Sequence, residues 1–95
     1  MSEIVHNRDR MRFEAERDGH LAHLDYERHG DRLVIVHTEV PDALEGHGLG
    51  GDLVKAALDY AVEHGLEVEP QCPFAREWLR RHPDAAARVT IAWPD

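Results

Sequence analysis

From Met11 to Arg17 the chain alternates, with Met11, Phe13 and Ala15 on one face and Arg12, Glu14 and Glu16 on the other. That two-residue period predicts a half-buried strand. Asp18-Gly19 is a tight-turn signal, after which Ala22, Leu24 and Tyr26 resume the alternation, so the first two strands read as a hairpin. His29-Gly30-Asp31 punctuates the chain again. The run Leu33-Val34-Ile35-Val36-His37-Thr38 that follows is apolar on both faces and β-branched, as a central strand is. Three antiparallel strands in succession make a meander, ended at Val40-Pro41-Asp42 because proline cannot continue the ladder. From Leu49 the period changes. Leu49, Leu53, Val54, Ala57, Leu58, Ala61 and Val62 recur at three and four residues, one stripe of a helix that His64-Gly65 stops. Leu66 to Glu69 predicts a short strand closed by Pro70. Phe74 to Arg81 predicts a second helix with Phe74, Trp78 and Leu79 turned inward, and His82-Pro83 ends it. Val89 to Trp93 reads as a strand or an ordered extension. The class is α+β.

Ninety-five residues allow a single domain, 1–95, with one sheet and one or two helices as its natural limit. A hydrophobic content of 42% beside 32% charged residues describes a soluble globular chain. No apolar run approaches the ~20 residues of a membrane span, and the start MSEIVHNRDR has no apolar signal core, so a cytoplasmic location and no membrane partner are expected. Cys72, the single cysteine, excludes an internal disulfide and a cysteine-rich zinc site. Eleven basic against nineteen acidic residues give a net charge of −8, which disfavours nucleic acid as a partner. No metal site is expected: His20 and His23 point to opposite faces of a strand, and no His-x-x-x-His pair falls within a helix.

The stretch Glu45-Gly-His-Gly-Leu-Gly-Gly-Asp-Leu-Val54 changes the picture, because glycine is costly beside a helix start. Gly46, Gly48 and Gly51 match the dinucleotide fingerprint, with Glu69 near the expected acidic position. That fingerprint needs glycines directly after a parallel strand, whereas Pro41 to Glu45 intervene and a meander precedes them. Gly46 and Gly51 have the outer spacing of a P-loop, but Asp52 and Leu53 stand where its Lys and Ser or Thr belong. A third design uses successive backbone N–H groups at a helix N-terminus to meet an anion, with no Cβ to hold it away. It binds negative charge without a local lysine.

The order of three strands, glycine-rich turn, amphipathic helix and strand resembles that of the GCN5-related N-acetyltransferases. Their pyrophosphate loop, Gln/Arg-x-x-Gly-x-Gly/Ala, aligns with Glu45-x-x-Gly48-x-Gly50, with Glu45 in place of the usual Gln or Arg. The blocks His37-Thr-Glu-Val-Pro41, Glu45 to Val54 and Cys72-Pro-Phe…Trp78…His82-Pro83 are similar, in that order, to a small single-domain subgroup of the family. The resemblance implies acetyl-CoA as cosubstrate, its pyrophosphate on Gly46, His47, Gly48, Leu49, Gly50 and Gly51. Its pantetheine arm would pair with the strand at Val36, Thr38 and Val40. Phe74 is placed among the cofactor contacts. Arg76, Arg80 and Arg81 form the densest basic cluster in the chain, either a contact for coenzyme A phosphates or a solvated helix face.

Acetyl transfer to an amine needs a neutral nucleophile, a polarised thioester carbonyl and a proton for the departing thiolate. Cys72, near the thioester by resemblance, serves as proton donor or as nucleophile, or is a buried cysteine that only packs. His37 at the strand end suits the amine proton, its competing reading being a hydrogen-bonded structural histidine. Glu39, on the same face, is a second base or a solvated carboxylate. No tyrosine follows the Leu66–Glu69 strand, where many members of the family carry a general acid. The expectation is an acetyl-CoA-dependent N-acetyltransferase for a primary amine, monomeric or homodimeric. The alternative is a non-catalytic acyl-CoA sensor or interaction module of the same fold.

Overall fold

The computed structural model describes residues 4–94. One five-stranded sheet, in the order β1-β2-β3-β4-β5, carries the helices. The meander is β2 (Arg12–Arg17), β3 (His20–His29) and β4 (Arg32–Glu39), preceded by a strand that the sequence pattern did not announce, β1 (Val5–Asn7). Three polar-flanked residues are too few to show a period. Met11, expected on the buried face, lies in the β1–β2 turn with a positive φ of 54° and is exposed. Phe13 faces Leu24 and Ala15 faces Ala22 across the β2–β3 ladder, and all four are buried. Leu33 and Ile35 of β4 join them in the core.

Helix α1 (Leu49–His64) lays Leu49, Leu53, Val54, Ala57, Leu58 and Ala61 on this face and ends at Gly65, in the left-handed region. Val62, assigned to the same stripe from sequence, is exposed. Strand β5 (Glu67–Pro70) pairs parallel with β4, and α2 (Pro73–Arg81) and α3 (Pro83–Ala86) follow. The buried stripe of α2 is Ala75, Trp78 and Leu79, three and four residues apart. Phe74 falls one position off that stripe and is 44% exposed, contrary to the inward orientation expected of it. The larger side chain drew the assignment, but the smaller Ala75 makes the contact. The tail forms one parallel bridge: Val68 N–H donates to Thr90 O at 3.0 Å and Ala92 N–H to Val68 O at 2.8 Å. It lies along the outer edge of β5 at Val68. Among the described residues no helix is long and apolar enough to cross a membrane.

Two irregularities in β4 shape everything downstream. Tyr26 pairs with Ile35 but Asp25 with His37, which leaves Val36 as the extra residue of a β-bulge. The bulge shifts the alternation by one: Thr38, opposite Leu24, returns to the helix-bearing face, while His37 and Glu39 take the other. Pairing with β5 also stops at Ile35–Pro70, where Gln71 and Cys72 both donate their N–H to Ile35 O (3.0 and 3.1 Å). From Val36 onward, the β5-side edge of β4 has no strand partner among the described residues.

Candidate functional site

A cavity of about 780 Å3 opens where β4 and β5 part. Its walls are the end of β4 with the residue after it (His37 to Val40), the loop over Leu44 to Gly48, the first turns of α1 and one side of α2. A 3-10 turn at Asp42–Leu44, pinned by buried Leu44, brings the chain from β4 to the helix start.

The four glycines divide into two pairs. Gly46 and Gly48 have φ of 84° and 74°, and a Cβ at either would meet nothing within 4 Å. Backbone conformation demands them. Gly50 and Gly51 are helical, and a Cβ there would lie 2.6 Å from Phe74 Cζ and 2.6 Å from Trp78 Nε1, respectively. These two exist so that the aromatic side chains of α2 can rest on the backbone of α1. The expectation that the whole run serves as clearance for an anion is corrected to that extent.

Gly48 caps α1 without a side-chain hydrogen bond, and Asp52 N–H to Gly48 O, 3.0 Å, is the first helical bond. The amides of Leu49, Gly50 and Gly51 precede it, so no carbonyl of the helix can satisfy them. With the helix dipole they make a seat for an anion on the cavity wall. Lys55, one turn further along α1, lines the same cavity. Sequence reasoning supposed an anion site without a lysine. The signal was readable, since Lys55 stands four residues after Gly51 and therefore on the same side of the helix. His47 is exposed and lies off the cavity wall.

His37 and Glu39 meet at the cavity rim, His37 Nε2 lying 3.4 Å from Glu39 Oε1, and both are well exposed. Thr38 and Val40 also line the cavity; Val36 does not. Cys72 is buried at the N-cap of α2 and donates its S–H to Thr38 Oγ1 at 3.5 Å. It therefore stands behind Thr38, one hydroxyl away from the cavity, and is not itself part of the wall. The arginines expected to act together are dispersed. Arg76 bonds Gln71 O, Arg80 lies over the Trp93 ring, and Arg81 pairs with Glu77; none lines the cavity. In their place α2 supplies an aromatic wall of Phe74, Trp78 and His82. His82 stacks on Trp78 with ring centroids 4.0 Å apart and donates Nδ1–H to Trp78 O at 2.7 Å, which leaves Nε2 as an acceptor. Trp78 and His82, four apart on the helix path, were a legible pair that entered the sequence reading as packing, termination and resemblance, but not as a cavity wall.

Both tyrosines belong elsewhere. Tyr26 and Tyr60 join His6 and Phe13 in a ring cluster between β1, β2, β3 and α1. His6 stacks on Phe13 at 4.2 Å and bonds the Tyr26 hydroxyl. Burial, then the charges of Arg8 and His64, hold its imidazole below the ordinary histidine value. Among the described residues no group of three or more His, Cys, Asp or Glu is arranged to hold a metal ion.

A sheet whose parallel pair parts at a bulge, with a glycine-turned helix N-terminus facing the gap, defines the α+β fold of the GCN5-like N-acetyltransferases. The sequence profile described as GCN5-related N-acetyl-transferase matches residues 12–89, and the chain belongs to that family. It is similar to Protein NATD1 of Mus musculus, 39% identical over 83 residues that cover 84% of this chain and 76% of the mouse protein. Protein NATD1 of Gallus gallus is 38% identical over 84 residues, covering 85% and 76%. A GCN5-like protein from Staphylococcus aureus, solved in solution by NMR, superposes with a TM-score of 0.76 at 27% identity, covering 98% of this chain and 90% of that one.

Proposed function

We propose that the protein is an acetyl-CoA-dependent N-acetyltransferase of the cytoplasm that acetylates a primary amine. One observation carries this reading: the unpaired edge of β4 and the uncapped N-terminus of α1 open into a single cavity. The pyrophosphate sits on the amides of Leu49, Gly50 and Gly51, with Lys55 beside it. The pantetheine arm extends the sheet along Thr38 and Val40, replacing β5 where that strand departs. A β4 amide near the bulge polarises the thioester carbonyl. His37 and Glu39 take the proton from the attacking amine. Cys72 acts as proton donor towards the departing thiolate through the Thr38 hydroxyl. Its Sγ lies behind that hydroxyl, which disfavours the nucleophilic role.

Titration calorimetry with acetyl-CoA and with CoA tests the binding step, and absence of heat for both refutes the reading. Release of CoA thiol with spermidine, free amino acids, lysine-containing peptides and small amines then tests transfer. The second reading, a non-catalytic acyl-CoA-binding module, is favoured by the carboxylates Glu39, Glu45 and Asp52 in the wall and by both tyrosines lying outside it. Binding without release of thiol for any amine supports that reading instead.

A further inference from the structure

On the sheet face opposite α1, His23 is held between two carboxylates. Its Nδ1 lies 3.0 Å from Asp25 Oδ1 and its Nε2 lies 3.9 Å from Glu39 Oε2. Asp25 Oδ1 also accepts Arg12 Nε–H at 3.0 Å, so a guanidinium fixes the first carboxylate in place. The His23 side chain is 14% exposed, whereas that of Glu39 is 61% exposed and lines the cavity. The chain of contacts thus begins at the cavity rim and runs inward across the sheet. It exists because of the bulge. Were Val36 held in a regular ladder instead of bulging, the alternation of Leu33 and Ile35 would carry His37 and Glu39 to the helix-bearing face, away from Asp25 and His23.

We propose that His23 is a positioning residue for proton removal: it accepts, through Nε2, the proton that Glu39 takes from the acceptor amine. This rests on the acetyltransferase reading above. A His23 that gives its Nδ1 proton to Asp25 turns the Nε2 lone pair towards an oxygen of Glu39. Two lone pairs then face one another with room for a single proton between them. Rotation of the exposed Glu39 side chain closes the remaining gap to hydrogen-bond length, as catalytic contacts often do only when substrate is bound. As the amine nitrogen bonds the thioester carbon, its N–H bond breaks and the proton goes to Glu39. The O–H bond then breaks as His23 Nε2–H forms, flanked by Asp25 and Glu39. Collapse of the tetrahedral intermediate breaks the C–S bond, and the sulfur takes its proton from the Thr38–Cys72 side. His23 returns its proton to water through Glu39 when product leaves, and water reprotonates Cys72. The groups that face His23 are Arg12 and Glu14 of β2, Asp25 of its own strand, and His37 and Glu39 of β4.

The test uses the full chain with acetyl-CoA and whichever amine of the panel above is turned over fastest. His23→Gln and His23→Ala are compared with wild type across pH, with circular dichroism and acetyl-CoA calorimetry confirming fold and cosubstrate binding. The expected result is a fall in kcat on the order of 100-fold, a KM for acetyl-CoA within about two-fold of wild type because uniform binding is untouched, and an altered pH profile of kcat. Added imidazole should restore part of the rate to His23→Ala. Should that variant fail to fold, His23→Gln and His23→Asn decide on kcat and pH profile. An unchanged kcat overturns the relay and leaves the acetyltransferase reading standing. So does a fall in kcat with neither a changed pH profile nor imidazole rescue, which marks a structural role. A wild-type protein that binds acetyl-CoA but releases thiol with no amine overturns the parent reading and the relay with it.

Discussion

Alanine at position 51 separates packing from anion clearance as the purpose of the helical glycines. Its new Cβ would stand 2.6 Å from Trp78 Nε1, and Trp78 is only 9% exposed and clamped by the His82 ring. That ring has nowhere to go, and overpacking of this kind costs about 1–3 kcal/mol. Against it stands the helix propensity gained by replacing Gly with Ala, about 0.8–1 kcal/mol in a helix interior. The net expectation for Gly51→Ala is a loss of about 1 kcal/mol, or a fall in Tm of roughly 4–8 °C for a domain of this size. Gly50→Ala makes an instructive partner. Its Cβ would also meet an atom at 2.6 Å, but that atom is the tip of the half-exposed Phe74 ring, which can swing into solvent. Propensity and displacement then nearly cancel, within about 0.5 kcal/mol. Thermal and urea unfolding of both variants beside wild type measures the difference. If both alanines raise stability alike and only weaken acetyl-CoA binding, the packing argument fails and anion clearance is the purpose of both.

Two further expectations follow from charge. Lys55→Gln should weaken acetyl-CoA binding several-fold and flatten its dependence on salt, because one screened contact with phosphate is removed; equal affinity and equal salt slope in calorimetry would discount Lys55. For His6, the folded value lies below the ordinary 6.5. As pH falls through the ordinary value the unfolded chain takes up the proton first, so the stability that neutral His6 contributes is complete above that value. It is lost progressively as pH falls through the lower folded one. Urea unfolding at a series of pH values should show this decline, and His6→Phe, which keeps the stack on Phe13, should remove it; an unchanged slope in that variant contradicts the assignment.

The meander was legible because Phe13, Ala15, Ala22 and Leu24 sit at strict alternation between clear turn signals, and α1 because its stripe is long enough for the period to show. The Val36 bulge was not. A β-branched residue inside a β-branched run carries no mark of being the extra one, since the bulge is set by what β3 offers opposite it. The function of each glycine was equally hidden. Sequence shows four residues without side chains, and only the approach of Phe74 and Trp78 from a later helix tells a packing glycine from a turning one. That Cys72 follows the last core strand was legible, but which side of Thr38 it occupies depends on the same bulge.

That single extra residue behaves as a frameshift in the reading of the sheet. The string His37-Thr38-Glu39 has two possible meanings, and whether Val36 bulges out or takes its place in the ladder selects between a strand that feeds the core and one that arms a cavity. A polar cavity rim of this kind needs no new residues to arise in an ordinary meander, only a change of one in how they are counted. By the same register, deletion of Val36 would leave a regular ladder in which His37 still faces Asp25 and Thr38 still faces Leu24, so the bulge can be removed without turning the rim over.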